Sequence, residues 1–151
     1  MPSAPRFALA MLVVASTAMP VQARDTAMIN PVPVALAGGQ AQPAAQARQA
    51  MLEAATTRGW TVVDDKPGEL VLRFNKANKH SATVAARYDA SGMQIHYVDS
   101  VNLNQKVKDG FAVIHPTYNI WVADLARGAA ALYGRSGVPP TAAPPAASAA
   151  R

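Results

Sequence analysis

Alternating apolar side chains on both sides of a short turn constrain the fold of this chain more than any other feature of its sequence. Residues 80–88 and 93–100 flank the turn sequence Asp89-Ala-Ser-Gly92. A four-residue loop sets the register, which places three pairs on one face: Tyr88 with Met93, Ala86 with Ile95, and Val84 with Tyr97. Because successive side chains of a strand alternate between faces, this pattern predicts a half-buried antiparallel hairpin.

The chain between residues 42 and 134 predicts one α+β domain built around this hairpin. Residues 60–64 and 70–75 flank the turn sequence Lys66-Pro67-Gly68 and predict a second hairpin, whose register the sequence leaves open. Helical apolar spacing precedes the strands and returns after them. We therefore expect a helix, a four-stranded antiparallel meander and a second helix, with both helices on one face of the sheet.

Both predicted helices have recognisable ends and one apolar face. The first begins at Pro43 and ends at Gly59, which suits a left-handed cap, and the second begins at Pro116 and ends at Gly134. The positions expected to face the core are Ala47, Met51, Ala54 and Ala55 in the first helix, and Tyr118, Val122, Leu125, Ala129 and Leu132 in the second. Trp121 borders the second stripe, with Asp124 and Arg127 opposite.

The two ends of the chain differ in composition from the domain. Arg6, the apolar run at 7–15 and the small residues at 21–23 are typical of a cleaved signal peptide, so we expect the mature chain to begin at Arg24. A buried N-terminal helix is the alternative, and the run is too short to span a bilayer. Residues 24–41 predict a flexible, extended lead-in, and residues 135–151 predict a disordered Pro/Ala tail.

The composition excludes several classes of site. The chain has no cysteine, which excludes disulfides, thiolate metal ligands, thiol nucleophiles and the acyl anchor of a lipoprotein. Its formal net charge of +5 is mild, and the basic residues are spread along the sequence. Without aromatic residues interleaved among the basic ones, this charge does not predict nucleic-acid binding. It is compatible with contact to acidic polymers or lipid headgroups.

The residue types that carry catalysis do not form a known motif. His80, His96 and His115 lack the spacing of a metal site, so we expect neither a metal nor a cofactor. Asp99 and Ser100 are neighbours in a predicted strand and point to opposite faces, which argues against a triad with His115. We expect Asp99 and Asn102 to bind backbone groups where this strand ends.

The run His115-Pro116-Thr-Tyr118-Asn119-Ile-Trp121 allows two interpretations. His115 and Asn119 are one helical turn apart and could share a ligand. Alternatively, His115 and Pro116 begin the helix while Tyr118 and Trp121 complete the core. The structural interpretation is favoured.

Three motifs resemble those of a family of small exported Gram-negative proteins, many of them predicted lipoproteins. The motifs are Arg58-Gly59-Trp60, then Asp99-Ser100-x-Asn102-Leu103, then Ile114-His115-Pro116-x-Tyr118-Asn119-x-Trp121-Val122. The resemblance covers about residues 28–132 and implies a periplasmic location, without an implied activity. This chain departs from the lipoprotein members because it lacks the cysteine that would carry the lipid.

These observations predict a periplasmic binding or interaction module rather than an enzyme. The candidate binding residues are Arg73, Arg87 and His96 on the open sheet face near Lys76 and Lys79, together with His115 and Asn119. The expected partner is an envelope protein or an anionic ligand, with no nucleic acid and no transmembrane span. The alternative is an envelope hydrolase that uses Asp99, His115, Tyr118 and Asn119.

Overall fold

The structure of the protein is a computed structural model that describes residues 25–34 and 43–136. The predicted signal peptide and residues 137–151 of the predicted tail lie outside the described residues. The elements in chain order are β1 (Thr26–Ala27), β2 (Val32–Val34), α1 (Ala44–Thr57), β3 (Trp60–Lys66), β4 (Glu69–Lys76), β5 (His80–Tyr88), β6 (Met93–Val101), β7 (Lys106–Lys108), β8 (Phe111–Ile114) and α2 (Pro116–Ser136). The fold is α+β, as predicted.

The main sheet has five antiparallel strands in the order β2-β6-β5-β4-β3. The predicted four-stranded meander is therefore only part of this sheet, which has one more strand. The fifth strand, β2, comes from the segment predicted to be a flexible lead-in. Its apolar side chains Val32 and Val34 are buried, and they pair with Ile95 and Met93 at the edge of the sheet. Burial of these two valines gives a physical reason for the segment to join the sheet.

The predicted register of the β5–β6 hairpin is confirmed over its first part and shifts further on. All three predicted apolar pairs are present. A bulge then inserts Val98, so that Thr83 pairs with Asp99 and Ala82 pairs with Ser100. Ser100 therefore lies on the side of the hydrophobic core, whereas regular strand alternation from Met93 predicts it on the open face and is wrong at this position. A single extra residue moves every later side chain of a strand to the opposite face of the sheet.

A second, three-stranded sheet in the order β1-β8-β7 lies in a region predicted to be loop. The β7–β8 hairpin turns at Asp109 and Gly110, both with positive φ. The carboxyl end of β8 leads into α2, and Ile114 is fully buried. This sheet therefore ties the N-terminal segment to the start of the second helix.

The helix predictions hold at most ends and along both apolar faces. Gly59 has a φ of +74° directly after α1, which confirms the left-handed cap. Pro116 begins α2, but the helix continues to Ser136, so the prediction that Gly134 ends it is wrong. Glycine lowers helix stability by about 1 kcal/mol and does not by itself stop a helix.

One hydrophobic cluster contains residues of both helices and of the main sheet. In α1 it contains all four predicted residues together with Ala50. In α2 it contains Tyr118, Val122, Leu125 and Ala129 as predicted, and it also contains Ala126 and Tyr133. Leu132, predicted on the stripe, is only partly buried against the cluster.

Candidate functional site

Arg73, Arg87 and His96 lie together on one face of the main sheet. This open face is the one opposite the hydrophobic cluster, and strand pairing arranges its side chains in rows. From the β5–β6 turn inwards, the rows are Lys66, Glu69, Arg87 and Gln94; then Asp64, Val71, Ala85 and His96; then Thr61, Arg73, Thr83 and Asp99. Arg87 and His96 are diagonal neighbours, a relation that places Cα atoms about 7–8 Å apart.

Acidic and basic side chains balance each other on the open face. Its basic members are Lys66, Arg73 and Arg87, and its acidic members are Asp64, Glu69 and Asp99. The Lys66 ammonium lies 2.5 Å from Asp64, and its hydrogen bond lowers the pKa of that carboxyl. Arg73 Nε donates to Thr83 Oγ1 at 3.2 Å. The face as a whole therefore does not favour an anion, and any preference must arise locally.

A cleft of about 700 Å³ lies at the end of the sheet where β3 turns to β4 and β5 turns to β6. Its walls come from the two turns, from the edge strand β2 and from the adjoining ends of β4, β5 and β6. The polar side chains among its lining residues are Glu69, Arg87, Tyr88, Asp89, Ser91, Gln94 and His96. The cleft thus contains two of the three open-face residues predicted to bind a ligand, whereas Arg73 lies outside it.

The acidic groups of the cleft already have hydrogen-bond donors. Asp89 Oδ1 accepts from the backbone N–H of Ser91 at 2.6 Å and of Gly92 at 3.0 Å, and also from the Ser91 hydroxyl. These bonds lower the pKa of the Asp89 carboxyl. Glu69 Oε2 accepts from Arg87 Nε at 2.8 Å. Both carboxylates are therefore held by the protein itself.

The basic and amide groups of the cleft retain unused donors. Arg87 is bonded to Glu69 through Nε alone, and its two terminal nitrogens have no acceptor among the described residues. The side chains of Gln94 and His96 form no hydrogen bond within residues 25–34 and 43–136. A guanidinium with both terminal nitrogens available can bind a carboxylate or phosphate in bidentate geometry. The cleft therefore offers unused hydrogen-bond donors to a ligand.

His115 and Asn119, the other predicted binding residues, lie at the start of α2 rather than in this cleft. The His115 backbone N–H donates to Leu103 O at 2.8 Å, and its Nδ1 accepts from the Thr117 N–H at 3.2 Å. Asn119 Nδ2 donates to Ala27 O at 2.8 Å, and its Oδ1 accepts from the Ile29 N–H at 3.1 Å. Both side chains thus bind backbone groups.

The residues of the hydrolase alternative are not brought together by a described hydrogen bond. Tyr118 is fully buried on the core side of the sheet, with its ring 5.6 Å from that of Tyr97. Asp99 lies on the open face, inside β6, and its side chain bonds to no described residue, so the prediction that this side chain binds backbone at the strand end is not supported. Asn102 does bind a backbone group at this strand end, since its Nδ2 donates to Lys79 O at 2.5 Å.

Tyr118→Phe should raise the free energy of unfolding by about 1 kcal/mol at neutral pH. The buried Tyr118 hydroxyl has no hydrogen-bond partner among the described residues, and an unsatisfied buried polar group is costly. Burial also raises its pKa above the ordinary value of 10.0. A raised pKa means that stability is retained below pH 10 and lost as pH rises above it, by about 1.4 kcal/mol at pH 11.

Urea unfolding of both proteins at pH 8 and pH 11 checks this prediction. The variant should be the more stable at pH 8, and its advantage should widen at pH 11. A less stable variant at pH 8 would show that the hydroxyl has a polar partner. A constant difference between the two pH values would show that the pKa of Tyr118 is not raised by folding.

Sequence reasoning missed the partner of Arg58, which lies on the second helix. The Arg58 guanidinium lies 3.1 Å from Asp124 and packs on Gly128. A methyl group on Gly128 would come within 2.2 Å of that guanidinium, so Gly128 leaves the space that Arg58 occupies. The rings of Trp60, Phe74 and Trp121 form a row beside this pair, with centroid separations of 5.4 and 4.7 Å. The three aromatic residues, Arg58 and Asp124 help to line a smaller pocket of about 220 Å³.

The three histidines are dispersed in the structure. His80 Nδ1 lies 3.0 Å from Asn102 O, His96 lines the cleft, and His115 is at the start of α2. Within the described ranges, no group of three or more histidine and acidic side chains could hold a metal ion. No helix in the described part of the chain is long and apolar enough to cross a membrane.

Comparison with protein-family models, curated proteins and solved structures found no match.

Proposed function

We propose that this chain is a periplasmic binding module whose cleft holds a carboxylate or phosphate group of a small ligand or partner protein. The unused donors of Arg87, Gln94 and His96 carry the proposal, since Glu69 and Asp89 each already accept from donors of the protein. The signal-peptide pattern and the resemblance to exported proteins support the location. The two satisfied carboxylates nearby limit the affinity for a simple anion.

The arrangement of the helices supports this choice of surface. We infer that α1 and α2 cover the same face of the sheet, since their buried residues share one cluster with alternate residues of β4, β5 and β6. The opposite face and its cleft then stay accessible to a ligand. A solvated sheet face is ordinary in α+β domains, so the cleft rather than the face as a whole supports the function.

A titration of ¹⁵N-labelled protein with citrate, followed by NMR, tests the proposal. Citrate should shift the backbone amide signals of residues 68–69, 87 and 92–96, which border the cleft. Arg87→Gln should weaken binding about tenfold, the effect of removing a hydrogen bond to a charged group. Arg73→Gln is the matched control, because Arg73 lies on the same face and outside the cleft.

Two results would contradict the proposal. One is that citrate leaves the cleft signals in place; the other is that Arg73→Gln weakens binding as much as Arg87→Gln does. Capture of an envelope component by the wild type and by Arg73→Gln, but not by Arg87→Gln, would identify the natural partner.

A further inference from the structure

The smaller pocket presents aromatic and aliphatic surface to solvent. Phe74 lies in a row between the rings of Trp60 and Trp121, with centroid separations of 5.4 and 4.7 Å. Trp60 is buried, Phe74 and Trp121 are half-buried, and Ile120 beside them is 63% exposed. A ligand that covered this surface would remove apolar area from water, which stabilises binding. We call the pocket formed by these four residues with Arg58, Asp124 and Arg127 the aromatic pocket.

The charged residues of the aromatic pocket are paired with one another. The Asp124 carboxylate lies 3.1 Å from the Arg58 guanidinium and 3.4 Å from that of Arg127. Arg127 is bonded through one terminal nitrogen only, and the Trp121 indole N–H has no acceptor in the described part of the chain. The aromatic pocket therefore suits an uncharged occupant that brings apolar side chains and hydrogen-bond acceptors.

The chain that follows α2 has this composition. Residues 137–145 read Gly-Val-Pro-Pro-Thr-Ala-Ala-Pro-Pro and contain no charged side chain. Proline-rich sequences favour the polyproline II conformation, whose backbone carbonyls have no internal hydrogen bonds and can accept from a partner. Such sequences are bound in grooves lined by aromatic side chains. We call residues 138–145 the proline segment.

The proline segment is long enough to reach the aromatic pocket of its own molecule. Along the axis of α2, Trp121 lies about 22 Å from Ser136. In the polyproline II conformation, Pro145 could lie about 28 Å from Ser136, which leaves length for a turn. Gly137 follows Ser136 directly, and glycine commonly ends a helix in a left-handed conformation that redirects the chain. The exposed residues of α2 at 127 and 131 continue the line of the pocket toward Ser136.

We propose that the proline segment folds back along α2 and binds in the aromatic pocket of the same molecule. Pro144 and Pro145 pack on Phe74, Ile120 and Trp121, while the Trp121 indole N–H and the Arg127 guanidinium donate to backbone carbonyls of the segment. Because pocket and segment belong to one chain, their effective concentration is high, so that weak contacts suffice for binding.

This docking is independent of the anion-binding cleft. Phe74 pairs with Trp60 at the end of the β3–β4 hairpin away from its turn, whereas the cleft borders that turn at Pro67 and Gly68. Loss of tail docking should therefore leave citrate binding unchanged, and loss of citrate binding should leave tail docking unchanged.

A spin label after the proline segment tests the docking proposal. The chain has no cysteine, so Ala146→Cys gives a single attachment site for a nitroxide on the full chain. In NMR spectra of the ¹⁵N-labelled protein, a docked segment should broaden the amide signals of Trp60, Phe74 and residues 120–124 more than those of residues 129–133. Stronger broadening at 129–133 would mean that the label stays near the end of α2, and it would overturn the proposal.

Variants on either side of the contact sharpen the test. Pro144→Ala combined with Pro145→Ala changes the proline segment alone, and Ile120→Ser changes the aromatic pocket at an exposed position. Both should lose the preferential broadening of the pocket signals. Phe111→Ser is the matched control, because Phe111 is 71% exposed and lies outside the aromatic pocket, so this variant should retain the broadening. Unchanged broadening in both contact variants would overturn the proposal.

A mixed sample identifies the molecule that supplies the tail. It combines ¹⁵N-labelled protein without a nitroxide and nitroxide-labelled protein without ¹⁵N. Docking within one molecule predicts that the pocket signals keep their line widths in this mixture. Broadening of the pocket signals would place the tail of a second molecule in the aromatic pocket, and it would overturn docking within one chain.

Discussion

Leu125→Ala should lower the free energy of unfolding by about 2–5 kcal/mol, the range for a buried leucine that leaves a cavity. Leu125 is fully buried in the cluster that α2 shares with the sheet and with α1. Its side chain is on the stripe formed by Tyr118, Val122 and Ala129, which are also fully buried. Removing three carbon atoms from this position leaves a cavity in that cluster.

Ile120→Ala is the matched control for this measurement. It removes an aliphatic side chain from the same helix at a position that is 63% exposed, so it should change the free energy of unfolding by less than about 1 kcal/mol. The urea unfolding midpoints of the two variants and the wild type measure both changes in stability. Equally mild effects would mean that the apolar stripe of α2 is assigned to the wrong face of the helix.

The helix phases and the register of one hairpin were predictable because they depend on local periodicity. The stripe containing Leu125 follows from helical spacing alone, and the pairing of Val84 with Tyr97 follows from the turn length together with strand alternation. Both signals repeat over several residues, so that one irregular position does not erase them. The α+β class follows from the order of these elements.

The strands that the sequence did not predict are short or interrupted. β1 and β2 have two and three residues, too few to show a period, and Pro33 further weakens the strand signal of β2. Asp109-Gly110 is a typical hairpin turn, but the strands that it joins have only three and four residues. The bulge at Val98 has no marker in a single sequence, and it alone moved Ser100 to the core side.

For the candidate site, the sequence predicted the sheet face on which the residues lie but not the cleft. Arg87 and His96 were expected on the open face, and their diagonal relation follows from the correct register. The cleft itself was not predictable, because it needs the β3–β4 turn and β2 beside the β5–β6 turn. The spacing of His115 and Asn119 suggested a shared ligand. In the structure their partners are backbone groups, which carry no sequence signal.

Asn119→Ala should lower the free energy of unfolding by about 2 kcal/mol, since each of two hydrogen bonds contributes about 1 kcal/mol. Its amide binds Ala27 O at the end of β1 and the Ile29 N–H between β1 and β2. Without these bonds, residues 25–34 should open more often. Hydrogen exchange at the amides of Met28 and Ile29 should therefore accelerate more than exchange in β4 or β5.

Asn119→Asp sharpens this test because it removes only the donor. The carboxylate could still accept from the Ile29 N–H, but its second oxygen would face Ala27 O, so the variant should be no more stable than Asn119→Ala. Gln105→Ala is the surface control, since Gln105 is exposed and forms no side-chain hydrogen bond within the described residues. If Asn119 instead binds a ligand, as its spacing from His115 suggests, Asn119→Ala should leave stability and exchange unchanged. An unchanged urea midpoint would therefore restore His115 and Asn119 as a candidate binding pair.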